Sequence, residues 1–176
     1  MLGKKLGIDL GTANSVIFVQ GEGVVLTEPT VVAIDLDTRT VIAVGTKAKQ
    51  MIGKTPENIV ARRPLREGVI ADSRITEALL RYFYDRALGK SRLIKPDVVI
   101  SVPAGITSVE ERAVHKAANA VGSRTVTLLP EPLLAALGAG LPIHTSSGNM
   151  IVNMGGGTSE VGVMSLDGIV EYESIR

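Results

Sequence analysis

The sequence has 176 residues, of which 45% are hydrophobic and only 3% aromatic, and its formal net charge is +1. This length suits one sizeable domain with room for a small insertion. With no cysteine and two histidines, the chain offers no disulfide or thiolate metal site and little for a histidine-built zinc site. The near-neutral charge and the scarcity of aromatic side chains argue against nucleic acid as a partner.

The mean hydropathy of +0.27 is high for a soluble protein. Every apolar run is nevertheless short, well below the ~20 residues that a membrane-spanning helix needs. The opening stretch MLGKKLGIDL has neither a long apolar core nor a small-residue cleavage site, so no secretory signal is expected. These features predict a cytoplasmic protein.

The chain begins with short β-branched runs separated by turn residues. Five of them precede residue 46 and predict a mostly antiparallel opening sheet: LGIDL, SVIFVQ, GVVLTE, TVVAID and RTVIAVG. The stretch GTKAKQMIG then predicts a short helix, and KTPENIVARRPLREGVIA reads as a mixed connector.

Helices and strands alternate from Asp72 onward. An amphipathic helix is predicted with Asp72 or Ser73 as its cap and Gly89 as its stop, and its apolar face is formed by Ile75, Leu79, Tyr82 and Phe83. After the apolar strand DVVISVP, Thr107 and Glu110 have the spacing of a capping box for a helix that ends at Gly122. After TVTLL, Pro132 suits the first turn of a short helix. This alternation indicates an α/β layer.

One pattern of strand, glycine-containing turn and strand occurs twice, as GIDLGTANSVIFV at 7–19 and IVNMGGGTSEVGV at 151–163. Glycine lets a ligand approach the backbone, and successive N–H groups in such a turn form a concave cluster suited to phosphate oxygens. A single hairpin could equally be a tight turn or bulge. Two matching hairpins could face each other and hold a chain of phosphates, with the candidate binding residues Gly11, Thr12, Ala13, Asn14, Gly155, Gly156, Gly157 and Thr158.

Asp9 precedes the first turn, and Asn153 fills the same place in the second hairpin. A carboxylate beside a polyphosphate requires a divalent cation between them, held through water because Mg²⁺ keeps much of its hydration shell. Alternatively, Asp9 caps the N–H groups of its own turn. Because the hairpin pattern occurs twice, we favour the metal-binding role of Asp9 over the capping role.

Several motifs together resemble the MreB family of bacterial actin homologues from end to end: GIDLGTANS, EPTVVAID, MIGKTPENIVARRPLREGVIAD, VVISVPAGITSVEERAV, EPLLAALGAGLP and NMGGGTSEVGVMSLDGIV. The resemblance implies an α/β, actin-like (ribonuclease H-like) fold, with a mixed sheet, flanking helices and a small inserted subdomain. It implies that 1–33 and 71–176 form subdomain IA, with the phosphate-1, connect-1 and phosphate-2 motifs, and that 34–70 form subdomain IB. The second half of the fold, domain II, is expected to be absent.

Family members bind ATP with Mg²⁺, polymerise into filaments and lie on the inner membrane surface, where they guide wall synthesis. The resemblance therefore implies the same cofactors, self-association, a peripheral membrane location and wall-synthesis partners. Glu131 matches the glutamate that orients the hydrolytic water, although an acid is also favoured at a helix N-terminus. Asn153 replaces the family's usual aspartate and is at most a weak metal contact. Because asparagine cannot accept a proton, and because the second half is expected to be absent, the chain is at most a weak ATPase.

A loop after the long helix places Leu93 and Ile94 among Lys90, Arg92 and Lys95. Apolar residues flanked by cations can enter an anionic leaflet. The loop also resembles the place where some family members carry membrane-inserting hydrophobic residues. Alternatively, the two side chains cover the end of the core. Arg62, Arg63 and Arg66 form a solvated or inter-subdomain face, or else a partner site.

Three functions are compatible with these residues. The first is an MreB-like cytoskeletal protein in half-length form, with an incomplete nucleotide site. The second is a nucleotide-binding module that pairs two copies, each supplying the face that the other lacks. The third and least favoured is a small-molecule phosphotransferase, for which no base lies in a suitable place.

Overall fold

A computed structural model describes residues 3–89 and 94–176. The elements follow one another in the order β1 (Lys5–Leu10), β2 (Asn14–Val19), β3 (Gly23–Pro29), β4 (Val32–Asp35), β5 (Val41–Val44), α1 (Thr46–Met51), β6 (Ile59–Arg62), β7 (Leu65–Arg66), β8 (Val69–Ile70), α2 (Ser73–Leu88), β9 (Asp97–Val102), α3 (Ser108–Ala120), β10 (Thr125–Pro130), α4 (Glu131–Gly138), β11 (Asn149–Met154), β12 (Ser159–Ser165) and β13 (Gly168–Ile175).

The main sheet is mixed and has the strand order β10-β9-β1-β2-β3. Strand β1 lies at its centre, antiparallel to β2 and parallel to β9. Alternate residues of β1 and β9 point into the core, which explains the period-two pattern of these strands. They pack with α2 and α3 in one large apolar cluster, whose buried members include Leu6, Ile8, Leu10, Leu79, Leu80, Phe83, Val98, Ile100 and Val114.

The helix-capping predictions are confirmed. The side chain of Asp72, rather than Ser73, accepts a hydrogen bond from the backbone N–H of Ile75 at the start of α2. Gly89 ends this helix with a φ of 82°, in the left-handed region that favours glycine. At the start of α3, Thr107 and Glu110 form the complete capping box. Each cap satisfies backbone groups that a helix end would otherwise leave unpaired.

The five opening strands do not form one sheet. Strands β4 and β5 leave the main sheet and pair antiparallel with each other, and β6 completes a small sheet of order β5-β4-β6. The connector predicted from Lys54 onward instead contains β6 and the short hairpin of β7 and β8. Short runs interrupted by arginine and proline give little strand signal, and their pairing depends on distant partners. The predicted insertion at 34–70 begins inside β4, and its boundaries remain a prediction.

The second glycine-rich hairpin lies outside the main sheet. Strands β11, β12 and β13 form a separate antiparallel sheet, which packs through Ile151 and Met164 against α4. On its other face, alternate residues of β11 are exposed, with Met150 at 66%, Val152 at 50% and Met154 at 78%.

In the ranges 3–89 and 94–176, no helix combines the length and apolarity required to cross a bilayer. Of the two predicted membrane contacts, Leu93 lies outside the described residues. Ile94 is described, and its side chain is 48% exposed. The membrane contact remains a prediction.

Candidate functional site

The two glycine-containing turns touch each other. A Cβ built on Gly156 would lie 2.5 Å from the Cβ of Ala13, and one built on Gly157 would lie 2.7 Å from Oγ1 of Thr12. Real Cβ atoms do not approach other atoms so closely, so glycine is required for the turns to meet. The sequence predicts that these glycines allow a ligand to approach the backbone. The structure shows that they also allow the opposite turn to approach it.

The first turn is fixed from inside by two buried hydroxyls. Thr30 donates from Oγ1 to the carbonyl of Gly11 over 2.7 Å, and Oγ of Ser15 lies 2.9 Å from the same Thr30 oxygen. The backbone N–H of Thr30 also donates to the carbonyl of Ala13 over 3.0 Å. Sequence reasoning missed Ser15 and Thr30, although a hydroxyl at an inward strand position was a signal available for Ser15.

The β6–β8 segment contacts the same turn from outside. Nη1 of Arg63 donates to the carbonyls of Thr12 and Ala13 over 2.8 and 2.9 Å. The backbone N–H of Gly68 donates to Oγ1 of Thr12 over 2.9 Å. Gly68 has a φ of 78°, and a Cβ there would lie 2.8 Å from Pro103 and 3.0 Å from Thr158. The turn between β7 and β8 therefore packs against both glycine-containing hairpins. Arg63 thus joins the segment that follows β6 to the first turn.

Beside the turns lies a cleft of about 360 Å³, lined by β1, β2 and β9 of the main sheet, by α4 and by Asn153 of β11. Its polar lining brings together Asp9, Ser101, Glu131 and Asn153. Oγ of Ser101 donates to Oδ1 of Asp9 over 2.9 Å. Three of these residues are candidates predicted from sequence, whereas Ser101 was missed because its contact spans 92 positions along the chain.

The carboxyl group of Glu131 in this cleft has a strongly raised pKa. Burial, together with the charges of Glu160 and Asp9, raises the pKa of Glu131 to about 7, and the hydrogen bond from Asn153 opposes this rise. That bond runs from Nδ2 of Asn153 to Oε2 of Glu131 over 3.0 Å. At neutral pH the carboxyl group is therefore divided between its two protonation states, as a general acid or base requires. Glu131 is also the first residue of α4, so both roles left open by the sequence are compatible with its position.

Glu160 is a buried acid that sequence reasoning missed. It is 0% exposed, lies opposite Asn153 in the β11–β12 register, and accepts a hydrogen bond from the N–H of Ala104 over 2.8 Å. Its Oε2 has no hydrogen-bond partner among the described residues. The alternation of β12 places Glu160 on the inward side with Met164 and was the available signal.

The residues of the cleft fit a hydrated cation better than a protein-built metal cage. Within the described part of the chain, no cluster of three or more His, Cys, Asp or Glu side chains is suited to a metal. Asp9, Glu131 and Asn153 offer oxygen atoms, which Mg²⁺ prefers, and Mg²⁺ commonly takes one or two carboxylates and fills its shell with water and phosphate. Asp9 is exposed and can serve in this way.

The family described as MreB/Mbl protein matches residues 3–176 of this sequence. The chain belongs to the MreB/Mbl family. It is 52% identical to the cell shape-determining protein Mbl of Bacillus cereus over 100% of its own length and 53% of that protein. It is 49% identical to the cell shape-determining protein MreB of Escherichia coli, again over 100% of its length and 52% of that protein. The chain therefore spans about half the length of these MreB/Mbl relatives.

Solved structures confirm the predicted actin-like α/β fold. A crystal structure of MreB5 of Spiroplasma citri bound to AMPPNP matches with a TM-score of 0.91 and 35% identity, covering 99% of this chain and 53% of that one. A MamK double helical filament matches with a TM-score of 0.79 and 24% identity, covering 98% of this chain and 54% of that one, and shows the fold alone. The resemblance to the MreB family, read from sequence motifs, is confirmed as well.

Proposed function

We propose that this member of the MreB/Mbl family is an actin-like, cell shape-determining protein that binds ATP and Mg²⁺ where its two hairpins meet. The contact of Gly156 and Gly157 with Ala13 and Thr12 carries this proposal, because it brings two sets of backbone N–H groups beside an acidic cleft. Nucleotide in two solved relatives supports it, since MreB5 of Spiroplasma citri has been crystallised with AMPPNP and with ADP.

The residues divide the work of binding. The N–H groups of 11–14 and 156–158 supply donors for phosphate oxygens, and two threonine hydroxyls add to them. The N–H of Gly155 instead closes its own turn, because it donates to the carbonyl of Thr158 over 2.8 Å. Asp9 holds the hydrated cation through water, and Asn153 contributes little to it. Mg²⁺, when bound, neutralises part of the phosphate charge. Because Ser101 donates to Asp9, the carboxylate has a fixed orientation at the edge of the cleft.

Hydrolysis by this chain should be slow. Glu131, with its pKa of about 7, is tuned to accept a proton from water near neutral pH. Asn153 orients Glu131 through a hydrogen bond but cannot itself accept a proton. A cleft with one such carboxylate is expected to bind ATP but to hydrolyse it slowly. Measuring ATP binding therefore tests the site better than measuring hydrolysis.

Titration calorimetry of the 176-residue chain with ATP, with and without Mg²⁺, tests the binding site. We expect saturable binding that Mg²⁺ strengthens, and Asp9→Asn should remove most of the strengthening. Asp37→Asn provides the same charge change on the exposed turn after β4 and should behave as wild type. Absence of binding to the wild-type chain, or equal Mg²⁺ dependence in both variants, would contradict the proposed site.

We also propose self-association, supported by membership of the MreB/Mbl family and by a fold shared with the MamK filament. Sedimentation velocity and electron microscopy, each with and without ATP and Mg²⁺, test it. Assemblies that grow with nucleotide are expected, and a strict monomer under all conditions would contradict the idea.

Peripheral contact with the inner membrane, and through it with wall-synthesis proteins, is the last part of the proposal. The exposed side chain of Ile94 supports it. Co-sedimentation with vesicles of anionic lipid should exceed that with neutral lipid, and Ile94→Ser should weaken it. Ile175→Ser removes an equally apolar, exposed side chain from β13 and should have no effect. Equal loss in both variants would count against a membrane role for Ile94.

A further inference from the structure

Three arginines lie close together in the sequence: Arg62, Arg63 and Arg66. Among the described residues, Arg63 alone of the three contacts the first turn. Arg62 pairs with Asp72 over 3.1 Å. Arg66, with a side chain that is 84% exposed, lies only within 3.8 Å of Glu67. Arg63 instead places one nitrogen on two consecutive carbonyls, 51 and 50 positions away along the chain. Two bonds from one guanidinium to adjacent peptide groups restrict both peptide planes.

The orientation of those planes determines where the donors of the turn point. In a trans peptide the N–H points opposite to the carbonyl of the preceding residue. A guanidinium on the carbonyls of Thr12 and Ala13 therefore directs the N–H groups of Ala13 and Asn14 to the opposite side. The second hairpin lies close to this peptide group, since a Cβ on Gly156 would be 3.4 Å from the nitrogen of Ala13.

The same bonds strengthen those donors. A carbonyl that accepts a hydrogen bond polarises its peptide group, and the N–H of that group becomes a better donor. The carbonyl of Ala13 accepts hydrogen bonds from both Arg63 and the N–H of Thr30. The donor strength of the Asn14 N–H, which belongs to the same peptide group, therefore increases more than that of the Ala13 N–H. The Arg63 donor is a positively charged guanidinium, which polarises an acceptor more than a neutral donor does.

We propose that Arg63 is a positioning residue for the phosphate chain: it orients the Ala13 and Asn14 N–H groups toward the ligand without touching the ligand itself. This inference rests on the proposed nucleotide site and extends it to a residue outside both hairpins. Arg63 directly follows β6, the last strand of the small sheet. A displacement of that sheet would therefore change phosphate affinity, and bound phosphate would in turn bias the position of the sheet.

The test compares Arg63→Gln with Arg66→Gln, which removes the same charge from the same segment. In the nucleotide-free protein, residual dipolar couplings of the Ala13 and Asn14 N–H bonds should change in Arg63→Gln only. Affinities for ATP and for inorganic tripolyphosphate, each with Mg²⁺, should fall together by about tenfold or more, whereas adenosine binding should be unaffected. Arg63→Lys should recover much of the loss, because one nitrogen makes both bonds.

The outcomes separate this inference from the function on which it rests. If wild type binds neither ATP nor tripolyphosphate, the proposed function fails, yet the couplings still report whether Arg63 orients the two N–H groups. If wild type binds ATP and Arg63→Gln binds it equally well, the positioning role is overturned. Equal losses in Arg63→Gln and Arg66→Gln would also overturn it, because general charge attraction would then suffice.

Discussion

Asn153 and Glu131 form one unit in the cleft: the Asn153 amide donates from Nδ2 to Oε2 of Glu131 over 3.0 Å. The two residues come from different elements, β11 and α4, 22 positions apart along the chain. A neutral donor at this place favours the ionised form of Glu131. An aspartate at this position would instead place a second negative charge against it.

Asn153→Asp should therefore raise the pKa of Glu131 above its value of about 7. The substitution removes a hydrogen-bond donor and adds a like charge, and both changes disfavour the carboxylate. A carbon-13 NMR titration of the side-chain carboxyl measures it directly. Asn119→Asp on the exposed surface of α3 adds the same charge and should leave the Glu131 titration unchanged. A lower pKa for Glu131 in Asn153→Asp would show that the two side chains do not interact as described.

The raised pKa of Glu131 also predicts how stability depends on pH. Its pKa is about 7 in the folded protein against an ordinary 4.5, so the folded state holds the proton more tightly than the unfolded state. The free energy of unfolding should fall as pH rises from 4.5 to about 7, by at most about 3 kcal/mol, and then level off. Urea titrations at several pH values measure the fall.

Glu131→Gln cannot titrate and should lose this part of the pH dependence, whereas Glu111→Gln, an exposed acid of α3, should retain it. An unchanged slope in Glu131→Gln would mean that another group is responsible.

A second pH effect, of opposite sign, is expected at the start of β9 and β10. The side-chain hydrogen bond from Arg124 and the hydroxyl of Thr125 lower the pKa of Asp97 from 3.8 to about 2. Their contribution to stability is present above pH 3.8 and is lost as pH falls through about 2. In acid titrations followed by circular dichroism, Asp97→Asn should show less of this loss than wild type or Asp37→Asn. Superimposable acid curves for all three proteins would refute the prediction.

Gly157→Ala should separate the two hairpins, because its new Cβ would lie 2.7 Å from Oγ1 of Thr12. We expect the free energy of unfolding to fall by about 1–3 kcal/mol, as for other overpacked contacts, together with weaker ATP binding. Gly138→Ala is the matched control, since it lies in α4 with no atom near its new Cβ and should be neutral or slightly stabilising. Denaturant titration and calorimetry measure both quantities. Wild-type stability and affinity in Gly157→Ala would show that the turns are not in close contact.

Local features of this protein could be predicted from sequence, and long-range pairings could not. The caps at Asp72 and Thr107 depend on neighbours within a single turn of helix, and the structure has them as predicted. Similarly, the turns at 11–14 and 155–158 were recognised by their own composition. The departure of β4 and β5 from the main sheet depends on pairing with β6, which no local pattern specifies.

The candidate site shows the same division. Asp9, Glu131 and Asn153 were found because they adjoin recognisable motifs, and they do line one cleft. The sequence does not decide between several roles for Arg63, because its two acceptors, the carbonyls of Thr12 and Ala13, are 51 and 50 positions away along the chain. The hydrogen bond that Glu160 accepts likewise comes from a distant residue, Ala104, 56 positions away along the chain.

The fit of Gly156 against Ala13 has a consequence for engineering and for evolution. Since each turn occupies space that the other leaves empty, a larger residue at Gly156 becomes acceptable only if position 13 shrinks in the same molecule. Randomising one loop at a time would reject combinations that function together, so libraries aimed at altered ligand choice should vary both loops at once.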